Sequence, residues 1–190
     1  SHALGRGVGA SLNLNRVSDD GYFRDLSSTV AGTSQTNLLR EGILSYSTNW
    51  WSATARVQRY QTLQDPLAPV VLPYRRQPQI NLTAQRKVVD ASTAFVSEYV
   101  DFRHNTAINA QRLILYPSAS YPLLDDPGYY LTPKLGMHHT MYRMGANNTT
   151  LLSDTSRTVP IFSADSGMVF ERNDSFMGGG YVQTLEPRLY

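Results

Sequence analysis

The chain is 190 residues long, enough for one ordinary domain, and its formal net charge of +2 is too small to argue for a nucleic-acid partner. Charged residues make up 17% of it, below the roughly 25% of soluble domains, while tyrosine occurs 12 times. It has no cysteine, which excludes disulfides and thiolate metal sites, and no run near the roughly 18 apolar residues of a spanning helix, so neither a helical transmembrane segment nor a signal peptide is expected.

Leu4 to Val17 reads as the first strand. Leu4, Val8, Ala10, Leu12 and Leu14 share one parity, and Gly5, Gly7, Gly9, Ser11, Asn13 and Asn15 share the other. Side chains alternate across a strand, so this is one oily face and one wet face. Fourteen residues exceed the usual strand of about 5–6 and suit the wall of a barrel, whose membrane strands need about 9–11. Ser18–Ser34 is polar and rich in Asp, Gly and Ser, hence a long loop. Thr36–Ser47 is a second strand, with Arg40 on the parity of Leu38, Leu44 and Tyr46. After a tight break at Thr48-Asn49 comes Trp50–Gln61, in which Trp51, Ala53, Ala55 and Val57 oppose Ser52, Thr54, Arg56 and Gln58. Two tryptophans beside a short turn fit an interfacial aromatic girdle and fit a pair of partly buried core aromatics equally well.

Thr62–Gln77 is a long connection with Pro66, Pro69, Pro73 and the apolar patch Val70-Val71-Leu72. Gln79–Arg86 is a strand, and Lys87–Ser92 turns it into Thr93–Arg103, where Ala94, Val96, Val100 and Phe102 share a face. His104–Thr106 is a modest loop. Ala107–Tyr116 and Tyr129–Met144 are two further strands around the Pro/Asp-rich SASYPLLDDPG, and Gly145–Arg157 is a long loop. Pro160–Arg172 and Tyr181–Tyr190 close the chain, with Asn173–Gly180 as a Gly-rich connection between them. Phe162, Ala164, Met168 and Phe170 alternate there with Ser163, Asp165, Gly167 and Glu171. That makes nine extended segments in meander order. Their connections tend to alternate long and short, as outer-membrane barrels alternate external loops and periplasmic turns, although 104–106 should be long and 117–127 short. No period of 3.6 persists, so the fold class expected is all-β, a partial antiparallel up-and-down transmembrane barrel. Residues 1–190 are expected to be a single domain that continues beyond Tyr190.

No constellation for catalysis, cofactor binding or metal binding is found. His138-His139 are adjacent on a strand and so point to opposite faces. Asp125-Asp126 before Pro127-Gly128 reads as turn chemistry. Gly178-Gly179-Gly180 lacks the Lys-Ser/Thr of a phosphate-binding loop and precedes no helix. Asn148-Thr149-Thr150 and Asn173-Asp174-Ser175 match a glycosylation sequon, a pattern common by chance. Arg75-Arg76 could meet phosphate, but a pair of loop arginines is ordinarily solvated surface. Glu98, Asp101 and Glu186 are expected to face water in a lumen, with Arg103, Arg112 and Arg188 as candidate partners. The chain is therefore not expected to be an enzyme and is assigned no catalytic, cofactor-binding or metal-ligating residue.

The string GMVFER (Gly167–Arg172), a spacer, then QTLEPRLY (Gln183–Tyr190) is similar to the C-terminal barrel domain of the LptD family, which assembles lipopolysaccharide at the outer membrane. Gly21-Tyr22-Phe23-Arg24-Asp25-Leu26 and Tyr74-Arg75-Arg76-Gln77-Pro78-Gln79 resemble that family's tyrosine-rich loop and Pro-Gln strand start. The resemblance covers part of the family's barrel; its periplasmic N-terminal domain and its cysteines have no counterpart here. It implies the wall of a barrel in the cell outer membrane of a Gram-negative bacterium. It also implies partners: lipopolysaccharide, the plug lipoprotein LptE, the periplasmic bridge protein LptA through the N-terminal domain, and membrane lipids. The residues alone leave two other classes open, a general diffusion porin and a soluble carbohydrate-binding β-sandwich, of which strand length and low charge disfavour the second.

Overall fold

The computed structural model describes residues 2–21, 36–64, 69–145, 147–148, 152–176 and 179–190. Tyr22 to Leu26, Pro66, Thr149-Thr150, Gly178 and the side chain of Leu4 lie outside the described residues. Among the described residues there are thirteen strands and no helix. They are β1 (His2–Gly5), β2 (Val8–Leu14), β3 (Asn37–Ser47), β4 (Trp51–Thr62), β5 (Arg75–Val88), β6 (Ala91–Arg103) and β7 (Ala110–Ser120). Then follow β8 (Leu124–Asp126), β9 (Tyr129–Met144), β10 (Thr155–Met168), β11 (Phe170–Phe176), β12 (Gly179–Leu185) and β13 (Arg188–Leu189). One antiparallel sheet runs β1 to β7, then β9, β10 and β13, with β8 also paired to β9; β11 and β12 pair with each other. Apart from β8, which continues along the β7 edge of β9, and the β11–β12 hairpin set between β10 and β13, each strand lies beside its neighbour in sequence, the order of an up-and-down barrel wall, and the sheet is open. Among the described residues no second layer faces it, which disfavours the soluble sandwich.

The connections at one end are tight: Ser47 pairs with Ser52, Val88 with Ala91 and Asp126 with Tyr129. At the other end they span 15–36, 63–74, 104–109 and 145–154. The two exceptions to the expected alternation thus lose force. The segment 104–109 is twice the length expected for it, and 117–127 is mostly strand. β7 continues through Pro117 to Ser120, and β8 resumes along the same edge of β9, so only Pro127-Gly128 turns. Asp125-Asp126 are therefore strand residues, not the turn itself.

Other expected bounds shift for local reasons. Leu4–Val17 is not one strand: Gly5, Arg6 and Gly7 take φ of 81°, 50° and 80°, a left-handed turn that only glycine adopts without cost, and β1 folds back on β2. β5 starts at Arg75 and passes the Gln77–Pro78 step as a bulge, since the register shifts between Arg76 and Gln79 against both neighbours. Arg75 and Arg76 are thus strand residues on opposite faces. Asn173–Gly180 is no loose connection either, because β11 and β12 make it a hairpin. Phe170 pairs with Leu185 and Gly167 with Arg188 in one unshifted register, so β10–β11 and β12–β13 are one long hairpin interrupted at Val169 and at Glu186-Pro187.

Register assigns every strand to two faces. Ala10, Leu44, Ala55, Ile80 and Tyr99 lie in line on one, and Ser11, Ile43, Arg56, Gln79 and Val100 on the other. The first face carries most of the large exposed apolar side chains of the strands: Leu12, Leu44, Val57, Leu135 and Phe162 are 51–70% exposed. The only buried hydrophobic side chains among the described residues are Leu38, Leu63 and Val100. A sheet with a continuous oily face and almost no core is arranged for a solvent other than water.

The short turns also step progressively in one direction. β5 runs past Trp51, its last partner being Ala84; β9 with β8 runs past Ser120; and β11 with β12 runs past Tyr129. Such one-way stagger is what tilts strands against the axis of a closing barrel.

Candidate functional site: the two faces of the wall

The outer face is apolar in its middle and changes character toward both ends. At the short-turn end Tyr46, Trp50 and Trp51 cluster, with ring centroids 5.0 Å apart for Tyr46–Trp51 and 6.2 Å for Trp50–Trp51. The Arg86 guanidinium sits 5.9 Å from the Trp50 ring, and Trp50 is half exposed. An exposed aromatic pair with a cation beside it, at the edge of an oily band, is girdle geometry and not a core. Between these residues and β9 lies an open apolar furrow of about 640 Å³ lined by Ala84, Phe95, Pro117, Leu135 and Met137. At the long-loop end the same face becomes polar through Arg40, Arg59, Arg75, Arg103 and Arg143.

The inner face is polar and cross-linked. Gln79 Nε2 donates to Glu98 Oε1 at 2.7 Å, and Arg112 pairs with the other Glu98 oxygen. Arg112 lies 5.4 Å from the Phe102 ring. Arg56 meets Glu41 at 3.6 Å, the Ser52 and Thr83 hydroxyls are 2.8 Å apart, and Gln58 Nε2 donates to Tyr60 Oη at 2.8 Å. Gln58, Gln79 and Ser118 are buried on this face, and the Gln58 and Gln79 amide nitrogens find side-chain acceptors there. Near the other edge Arg188 Nε donates to Asp165 Oδ1 at 2.9 Å. Two glycines here leave room for rings across the strand: Gly136 lies under Tyr116, and Gly167 under Tyr130.

Of the acidic residues expected in the lumen, Glu98 is there and pairs with Arg112. Asp101 is not. It pairs with Arg103 at 2.7 Å as expected, but β6 register places both on the outer face near the long loops. Glu186 is in the break before β13, and Arg188 takes Asp165 instead. The β6 side chains Ala94, Val96, Val100 and Phe102 do share a face, but it is the inner one, opposite Gln85, Thr83, Gln79 and Arg76. The two-residue turn between Val88 and Ala91 fixes that register, and with period 2 it carries the whole strand. His138 and His139 leave on opposite faces: His138 stacks on Tyr116 at 5.9 Å, and His139 Nδ1 meets Thr158 Oγ1 at 2.8 Å.

An oily exterior with an aromatic edge and a polar interior of replaceable hydrogen bonds can seat a chain in a bilayer and solvate hydroxyl-rich material. The full length of the chain, residues 1–190, matches the family described as "LptD: LPS transport system D". Among curated proteins it is 49% identical to the LPS-assembly protein LptD of Azoarcus sp. strain BH72 over 95% of this chain and 23% of that protein. It is 48% identical to that of Aromatoleum aromaticum over 95% and 23%, and 43% identical to that of Nitrosospira multiformis over 100% and 21%. The chain therefore spans under a quarter of the length of these relatives.

Proposed function

The chain belongs to the LptD family, and from that premise we propose that residues 1–190 form one arc of the wall of an outer-membrane β-barrel that assembles lipopolysaccharide in the outer leaflet. The observation that carries this reading is the single sheet with a continuous apolar outer face, bounded by aromatics at the short-turn end. The polar inner face shelters the sugar part of the lipid while its acyl chains leave sideways into the membrane. That step forms and breaks no covalent bond, so the protein is a transporter without enzymatic turnover. The partners of such a wall are lipopolysaccharide and membrane lipids, with LptE as the plug of the barrel and LptA as the periplasmic bridge reached through the rest of the protein. Residues 1–190 act as a single domain's share of that wall, and the strands that close it come from the remainder of the barrel.

Depletion of the parent protein tests the reading. Newly made lipopolysaccharide, labelled metabolically, should stop reaching the cell surface while small hydrophilic solutes enter at an unchanged rate. Normal lipopolysaccharide delivery with reduced solute entry would replace this reading with the diffusion porin.

A further inference from the structure

The long-loop end of the outer face holds a charge arrangement that the wall itself does not need. Arg40 stands directly opposite Arg59 in the β3–β4 ladder, and Arg75 directly opposite Arg103 in the β5–β6 ladder. Like charges directly opposite each other destabilise a sheet. Arg103 is offset by Asp101. Among the described residues, no carboxylate pairs with Arg40, Arg59 or Arg75, and the Arg40 Nε is buried without a hydrogen-bond partner. These three arginines line one cleft of about 330 Å³ whose other walls include Gln61, Leu72 and His104, and no described carboxylate lines it.

The walls of the cleft are held in place. His104 Nδ1 accepts from the amide of Ala107 at 2.7 Å, which leaves its Nε2–H to donate to the Leu72 carbonyl at 2.9 Å. Tyr74 stacks on His104 at 5.0 Å and donates its hydroxyl to the Ile108 carbonyl at 2.9 Å. On the far side the Gln61 amide holds the backbone of Val17 through bonds of 3.0 and 3.2 Å. The cleft is thus a preformed cationic recess and not a group of free surface side chains.

Directly below it on the same strands the outer face turns apolar. The next outward pair after Arg40–Arg59 is Gly42–Val57, and after that Leu44–Ala55. Gly42 and Ala55, being small, leave a second cleft of about 480 Å³ between Leu12, Leu44 and Val57. A cationic recess stacked on an apolar groove, both facing outward, matches a molecule with an anionic head and an alkyl tail lying along the wall. Guanidinium groups bind phosphate in paired hydrogen bonds, and two arginines with no carboxylate partner among the described residues face each other here.

We propose that this two-part cleft is a site for a phosphorylated lipid of the leaflet on the long-loop side, its phosphate held by Arg40, Arg59 and Arg75 and one acyl chain lying over Gly42 and Ala55. The proposal rests on the barrel-wall reading above, which supplies the leaflet. It concerns a lipid fixed to the outside of the wall, separate from any cargo inside.

The test uses the full-length protein reconstituted in phosphatidylcholine vesicles containing a small fraction of phosphatidic acid, extracted in mild detergent and assayed for retained lipid. Phosphatidic acid should be enriched on the wild type. Arg40→Gln/Arg59→Gln should reduce that enrichment at least about tenfold, as expected for losing charge-assisted hydrogen bonds. Gly42→Leu, which fills the groove and leaves the charges, should reduce it as well. Arg76→Gln removes a positive charge from the inner face of the same wall and should leave it unaltered. Equal enrichment on wild type and the double-arginine variant overturns the proposal. So does displacement of the lipid by millimolar inorganic phosphate, which would make this a free-phosphate site. Protease protection of the reconstituted barrel is read in parallel. Protein that inserts without lipid preference defeats this site alone, whereas protein that does not insert defeats the wall reading and this site with it.

Discussion

Gly7 is the residue on which the first turn depends. Its φ is +80°, and an added Cβ would stand 2.1 Å from the backbone oxygen of Ser47, whose amide donates to the Gly7 carbonyl at 2.8 Å. Gly7→Ala in the full-length protein should therefore cost about 1–3 kcal/mol, seen as a lower denaturation midpoint in detergent. Parity gives a second prediction. Ala10 is on the outer face and Ser11 on the inner, so Ala10→Arg should destabilise by about 2–4 kcal/mol at membrane depth and Ser11→Arg by much less. Equal unfolding midpoints for the two variants would reverse the faces. At this scale part was legible: the parity of Arg40 and the divergence of His138 from His139 follow from alternation, whereas alternation left Arg112 as one of three candidate partners for Glu98 and only the β6–β7 register pairs the two. The turn at Gly5-Arg6-Gly7 was not, because the glycines fell on one parity of a run that already alternated and read as the wet side of a strand. The arginine cleft was legible only in fragments, as an oddity at Arg40 and as a pair at Arg75-Arg76 that could meet phosphate. Its other members come from strands and loops that register alone brings together.

Proline misled the reading of elements. A proline inside a strand argues against that strand, so Tyr116 was expected to end one, yet Pro117 sits within β7. The β7–β9 ladder shows why this is tolerated: its register is the same on both sides of Tyr116–Pro117, with no pairs at those two residues, while Pro117 pairs normally with Phe95 on β6. The absent N–H falls where the ladder skips. β6 departs from the outward apolar parity of its neighbours for a different reason. Its apolar residues were grouped correctly, but which way a strand faces is settled by its neighbours and not by its own composition. Register makes a prediction of its own. β10 pairs with β9 over its full length, whereas β11 and β12 extend past the end of β9 with only each other. Amide exchange in the reconstituted protein should be slowest across β9–β10 and faster by orders of magnitude in β11–β12. Comparable protection in both would mean that β11 gains a further partner strand.

The molecule as a whole exposes 13733 Å², against about 9,100 Å² for a compact monomer of its 21.2 kDa. Among the described residues the sheet has no facing layer, which contributes to that excess, and most of its strand apolar surface lies on one side. Residues 1–190 expressed alone should accordingly sediment or oligomerise in detergent-free buffer, while the parent protein in detergent stays monodisperse. A cooperatively melting monomer in water would overturn the division into two faces. The overall architecture was legible because long alternating strands and asymmetric connections are properties of the chain itself, whereas tilt and stagger are relations between strands. The β9–β10 ladder, fourteen pairs without a shift, has a mechanical meaning beyond its contribution to stability. Sliding one strand along the other would have to rupture all of its bonds together, and after a single step would turn every outward side chain inward. Peeling the strands apart ruptures them one at a time. The wall is stiff against slip and compliant only to unzipping, so any slit that opens in it must run lengthwise between two strands, never across them.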